Sequence, residues 1–210
     1  MPAYQYLIFD LGDVIIDIDY HATINAFQQL SRVDFSEVVS YARQHPVFDR
    51  LERGEISAQE FRSELRRFLH PQVTDEQIDA AWNAILVGFP PEKLQLVENL
   101  KQNYEVYALS NINEIHTAQL DRVARERFGK ERFSDFFHHA FYSHEVGHRK
   151  PEPEIFRYVT EVKNIAPERT FFVDDKKENV EAASAAGWHA YQLTDRNALF
   201  HLLQTHKIIS

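Results

Sequence analysis

The chain has 210 residues, enough for one full α/β domain with a smaller insert. A composition of 44% hydrophobic and 26% charged residues is that of a globular protein able to bury a core, and a net charge of -9 argues against a nucleic-acid backbone as partner, since phosphate binding calls for a basic face. No apolar run reaches bilayer-spanning length, no basic-then-apolar leader is present, and zero Cys excludes disulfides, thiolate catalysis and zinc–thiolate sites; these features predict a cytoplasmic protein with neither membrane nor nucleic acid as partner.

In chain order, the run Tyr6-Leu7-Ile8-Phe9 leads straight into Asp10 and reads as a strand of a parallel sheet, buried on both faces. The alternation Asp17-Ile18-Asp19-Tyr20 predicts a small hairpin beside that strand's end. The period then becomes helical. Ile24, Phe27 and Leu30 mark a helix over 21–30, and a second is expected over 35–43. Ser57 with Glu60, and Thr74 with Gln77, are capping boxes that open two further helices. Gly88-Phe89-Pro90-Pro91 reads as a linker. Beyond it, predicted strands at 105–109, 140–142, 170–173 and 188–193 alternate with helices, the last helix at 196–206. This rhythm implies an α/β fold: a doubly wound, Rossmann-like parallel sheet formed by residues 1–19 and 88–210, with an α-helical bundle inserted over 20–87.

Three predicted strands end in polar residues: Asp10, Ser110-Asn111 and Asp174-Asp175. Lys150 lies in a loop between the last two. In open α/β sheets ligands bind beyond the carboxyl ends of the strands. A lone strand-end Asp commonly caps a turn, and a lone loop Lys is commonly exposed; the cluster calls for a shared purpose. A carboxylate such as Asp10 can attack phosphorus and form an acyl-phosphate that water then hydrolyses. A phosphate dianion meeting several carboxylates is repelled, and a hard cation with oxygen ligands, Mg²⁺, removes that repulsion.

The segments Phe9-Asp10-Leu11-Gly12-Asp13-Val14, Leu109-Ser110-Asn111, Gly147-His148-Arg149-Lys150-Pro151-Glu152 and Phe172-Val173-Asp174-Asp175 resemble, in order and spacing, the four motifs of the haloacid dehalogenase superfamily. The Gly54-Glu55-Ile56-Ser57 turn is similar to that of its glucose-1-phosphatase-like branch. The resemblance implies a Mg²⁺-dependent phosphomonoesterase acting on a small phosphorylated metabolite, with a sugar 1-phosphate as the expected substrate. It makes Asp10 the nucleophile, and makes Asp10, the Gly12 carbonyl and Asp175 the metal ligands, with Asp174 a further candidate. Lys150, Ser110 and Asn111 would hold the phosphoryl group, and the helical insert would close over the site as a cap. Tyr20, His21, Phe48 and Trp82 are the insert's candidate specificity residues.

One position departs from the pattern. Most phosphatases of the superfamily carry an Asp two residues after the nucleophile as general acid, and here that place is Gly12. Asp13 is expected to cap a turn. His21, His116 and His148 are the candidate replacement acids. A 2-haloacid dehalogenase, or a catalytically silent binding protein, is the alternative reading. Neither the individual substrate within that class nor the oligomeric state is legible in the sequence.

Overall fold

The computed structural model describes residues 4–34 and 46–210, so the helix expected over 35–43 lies outside the described residues. The strands are β1 (Tyr6–Phe9), β2 (Asp17–Ile18), β3 (Leu86–Gly88), β4 (Glu105–Ser110), β5 (His139–Tyr142), β6 (Thr170–Asp174) and β7 (His189–Gln192). The helices are α1 (Tyr20–Leu30), α2 (Val47–Glu52), α3 (Ala58–Leu65), α4 (Asp75–Asn83), α5 (Pro91–Leu100), α6 (Glu114–Phe128), α7 (Ser143–Val146), α8 (Pro153–Lys163), α9 (Lys177–Ala185) and α10 (Leu199–Thr205).

Five of the strands form one parallel sheet in the order β5-β4-β1-β6-β7. Strand β1 is central because it is apolar throughout: Leu7 and Phe9 pack on one face with Val106, Ala108, Phe171 and Val173. Ile8 packs on the other face with Tyr107, Leu109 and Phe172. Helices cover both faces, so the doubly wound reading of the sequence is the observed architecture.

Helices α1 to α4 lie between β2 and β3 and enclose an apolar core of their own, built from Phe27, Leu51, Phe61, Leu65 and Ile78 and joined by Ile115 of α6. Both capping boxes form. The ring of Trp82 stacks on Phe48 at 5.1 Å and lies 4.9 Å from Phe61 between centroids.

Several details differ from the sequence reading, among them helix α2, which it did not include. The hairpin expected at Asp17 takes its partner from the far side of the inserted helices: β2 pairs antiparallel with β3. Gly88 therefore ends a strand, where an added Cβ would meet Asp17 Oδ2 at 2.6 Å, and Pro91 already begins α5. The terminal helix is split, with a 3₁₀ turn at Arg196–Ala198 ahead of α10. Helix α7 is too short to leave a periodic signal.

Phe61 is fully buried beneath Trp82 and Phe48, so Phe61→Ala should cost about 3–5 kcal/mol of stability through lost burial and a residual cavity. Urea denaturation followed by far-UV circular dichroism measures it; a loss below about 1 kcal/mol would mean that the inserted helices do not share this core.

Candidate active site

Strands β4, β1 and β6 are neighbours and run parallel, so their carboxyl ends reach one edge of the sheet together. Asp10 follows β1 and donates its backbone N–H to the Val173 carbonyl at 2.9 Å. Ser110 ends β4, Asn111 follows it, and Asp174 ends β6 with Asp175 next. Lys150 enters from the loop between α7 and α8. Its ammonium is buried and donates to Asp10 Oδ1 at 2.7 Å and to Asp174 Oδ2 at 2.6 Å.

The loop is fixed by an interaction that the sequence did not reveal. The Asn111 side chain grips the Lys150 backbone from both sides: its amide donates to the Lys150 carbonyl at 2.7 Å, and its Oδ1 accepts the Lys150 N–H at 2.8 Å. Asp174 is equally committed, because its Oδ1 accepts from the Lys176 backbone N–H and from the Asn179 side chain, both at 2.9 Å.

Burial and the nearby Asp174 and Asp175 carboxylates push Asp10 up to about 6, against the pull of Lys150. Burial, followed by Asp174, raises Asp175 as well. Burial draws Lys150 down, but Asp10 and Asp174 outweigh it and hold the ammonium above its ordinary range. Asp10, Asp174 and Asp175 each offer an oxygen within 4.8 Å of the others. A mutually repelling, all-oxygen donor set fits a hard divalent cation. With Asp174 already holding three donors, Asp10 and Asp175 are the carboxylates left to bind one.

A cavity of about 150 Å³ opens onto this cluster, lined by Asp10, Gly12, Ser110, Asn111, Lys150 and Asp175. Ile16, Ile18, Ile85 and Leu86 supply an apolar wall from β2, β3 and their flanks, and Tyr20, Thr23, Glu52 and Trp82 close it from the inserted helices. Of the four specificity candidates, Tyr20 and Trp82 line the cavity and His21 and Phe48 do not. Thr23, Glu52, Lys176 and Asn179 also line the cavity, although no motif marks them. A larger groove of about 610 Å³ between α3, α4 and α6 shares no residue with the cluster.

The replacement acids fare differently from one another. Among the three His candidates only His116 lines the cavity. The Asn113 Oδ1 accepts the backbone N–H of Ile115 and of His116, which turns its amide group toward His116 Nδ1 at 3.1 Å. His116 Nδ1 therefore accepts, and its Nε2–H donates to the Trp82 carbonyl at 3.2 Å. Burial pushes this His down to about 4, so it is neutral with both nitrogens engaged. Asp13 sits at φ 55° and faces the Ile18 N–H and Arg196, consistent with its expected turn role.

The fold and the carboxylate–lysine cluster are those of a hydrolase. The sequence pattern of haloacid dehalogenase-like hydrolases matches residues 4–187, and the chain belongs to that family. It is 31% identical to a D-ribitol-5-phosphate phosphatase from Bacteroides thetaiotaomicron, over 89% of this chain and 90% of that one. A solved haloacid dehalogenase family enzyme from the same organism superposes with a TM-score of 0.88 at 35% identity, covering 96% of this chain and 98% of that one. The wild-type form of that enzyme is also known in complex with magnesium and inorganic phosphate, at a TM-score of 0.80 and 37% identity over 90% and 93% of the two chains. A dehalogenase at 15% identity and a TM-score of 0.64, covering 97% and 98% of the two chains, shares the fold alone.

His116 should stay in the neutral Nε2–H form down to about pH 4. Its folded value lies below the unfolded one, so it should cost stability progressively as pH falls from about 6.5 toward about 4. Nitrogen-detected NMR of the imidazole checks this; titration near the ordinary His value would restore His116 as a candidate acid.

Proposed function

We propose that this protein is a Mg²⁺-dependent phosphomonoesterase acting on a small phosphorylated sugar or sugar alcohol by way of an aspartyl-phosphate on Asp10. The observation that carries this reading is the Lys150 ammonium buried between Asp10 and Asp174 with Asp175 alongside. Relatives named as phosphatases, and a similar enzyme holding magnesium and phosphate, support it.

Asp10 attacks phosphorus, the bond to the alcohol oxygen breaks, and the alcohol leaves with a proton taken up from its surroundings. Water then attacks the same phosphorus and returns Asp10 as a carboxylate. Lys150 offsets charge on Asp10 and on the phosphoryl oxygens, with the Ser110 hydroxyl and the Asn111 backbone N–H as the other donors. Asp10, Asp175 and the Gly12 carbonyl would hold Mg²⁺, and Asp174 keeps Lys150 in place. The bound ion would neutralise the phosphate and the facing carboxylates. Those carboxylates disfavour the carboxylate substrate of a 2-haloacid dehalogenase. The retention of Asp10, Lys150 and Asp175 in one cluster argues against a silent binding protein.

In this reading residues 20–87 form a cap over a core of residues 1–19 and 88–210. The cap and the β2–β3 flap would enclose the part of the substrate that leaves. The absence of Cys and the net charge of -9 support a cytoplasmic enzyme without nucleic-acid partners. Among the described residues no helix is long and apolar enough to cross a membrane.

The leaving group sets the finer choice. Gly12 offers no acid, and His116 is neutral and engaged. The anomeric oxygen of a sugar 1-phosphate leaves more easily than a primary alkoxide, which favours a 1-phosphate. The similarity to a ribitol-5-phosphate phosphatase favours a primary ester instead.

Asp10→Asn should abolish phosphate release while leaving the melting temperature near that of wild type, and excess chelator should stop wild-type turnover until Mg²⁺ is restored. Substantial activity in the Asn variant, or full activity in chelator, would overturn the mechanism. For the leaving group, kcat/KM should be higher for a sugar 1-phosphate than for the matching 6-phosphate. A Cβ at Gly12 would meet the tip of Ile18 at 3.0 Å, so Gly12→Asp requires that flexible tip to give by a few tenths of an ångström. It should raise the 6-phosphate rate selectively, within the roughly 10²–10⁴-fold that a general acid contributes. Equal rates on both isomers in wild type would show that another group supplies the proton.

A further inference from the structure

The Gly54 turn and the Arg before Lys150 are left without a purpose by the reaction scheme, yet they meet across the boundary between cap and core. Arg149 reaches out of the Lys150 loop to α2, where its guanidinium contacts Asp49 and, at 2.8 Å, Glu52. Arg53, just past α2, reaches back: it bonds Asp49 at 2.8 Å and pairs in two-pronged fashion with Glu152. Glu152 in turn accepts the Arg149 backbone N–H at 3.3 Å. Next to this ring the Gly54 turn, at φ 68°, lies so close to the core that an added Cβ would sit 2.2 Å from the His144 carbonyl oxygen. Only Gly fits such an approach.

We propose that Arg149 is a positioning residue: the ionic clasp it forms with Asp49 and Glu52 holds the Lys150 loop in its catalytic place whenever the cap is seated. This rests on the phosphatase reading. The loop has two anchors. Asn111 grips the Lys150 backbone from the sheet, and Arg149, its chain neighbour, ties the same loop to the cap. Isolated surface ion pairs contribute little, but a network of forked Arg–carboxylate contacts defines geometry as well as charge. Lys150 needs that definition, since its ammonium must meet two buried carboxylate oxygens at 2.7 and 2.6 Å at once. Glu52 also lines the cavity, so the clasp and the enclosed substrate share a side chain. Seating the cap and placing Lys150 thereby become one event.

The test compares Arg149→Met, Arg149→Lys, Asp49→Asn and the double variant Arg149→Met with Asp49→Asn. An aryl phosphate in saturating Mg²⁺ is the substrate, and thermal melts are run in parallel. A misplacement of about 1 Å costs roughly 10²-fold, so Arg149→Met should lower kcat by about that factor while KM moves by no more than about threefold. Lysine keeps the charge but cannot reach two partners at once, and should recover only part of kcat. The double variant should be about as slow as Arg149→Met alone, because both changes break one network. Arg62→Met is the control: Arg62 and Asp79 form a forked pair at 2.8 Å wholly within the cap, and its loss should leave kcat unchanged. Wild-type kcat in Arg149→Met, a rise in KM alone, or additive losses in the double variant would overturn the clasp. If Arg149→Met does not fold, Asp49→Asn must reproduce the kcat loss, and a wild-type kcat there overturns it equally. Wild type inactive on every phosphate ester would instead defeat the phosphatase reading.

Discussion

The constraint on which the site depends is a single buried ammonium. Lys150 has 1% of its surface exposed, a position that a lysine occupies only when its charge is answered. Removing such an ion from water costs several kcal/mol, and two short charge-assisted hydrogen bonds to Asp10 and Asp174 offset that cost. The two carboxylates belong to adjacent strands and the lysine to a separate loop, so the triad forms only when β1, β6 and the loop are all in register. Asp10 and Asp174 together answer the charge of Lys150, and Lys150 in turn draws the Asp10 carboxyl toward its ionised form. The chemistry and the folding of this edge of the sheet therefore rest on the same contacts.

The apolar wall from β2 and β3, with Trp82 behind it, limits water near Asp10 and strengthens the electrostatics inside. His116 lines the same cavity from α6: it stacks on Trp82 at 5.2 Å with an interplanar angle of 8° and bonds to the Trp82 backbone. It fastens α6 to the inserted helices, and that role requires the neutral ring. The same contacts that hold the enclosure together thus engage both nitrogens of the one candidate His that lines the cavity.

The motif residues were legible because they terminate apolar strands. Asp10, Ser110-Asn111 and Asp174-Asp175 follow apolar runs that read as buried strands; a parallel sheet puts such ends on one edge, and the order β4-β1-β6 makes them neighbours. The insert was legible as a change of period with two capping boxes. The rest depends on contacts between distant segments. Nothing near Asp17 announces that β3, beyond all the inserted helices, will pair with it. Asn111 read as a phosphate donor through its backbone, whereas its side chain is spent on the Lys150 loop. Glu52 lies in an ordinary amphipathic stretch, and only the docking of α2 against Arg149 brings it into the cavity. Single-residue chemistry is written locally; its positioning is not.

In the proposed mechanism Asp10 carries the phosphoryl group. Borohydride reduction of the protein quenched during steady turnover of a phosphate ester in Mg²⁺ tests it most directly, because an acyl-phosphate is reduced to the alcohol while a free carboxylate is not. Peptide mass analysis should then find homoserine at position 10 and at no other Asp. Turnover with position 10 unreduced, or reduction at another carboxylate, would contradict the account.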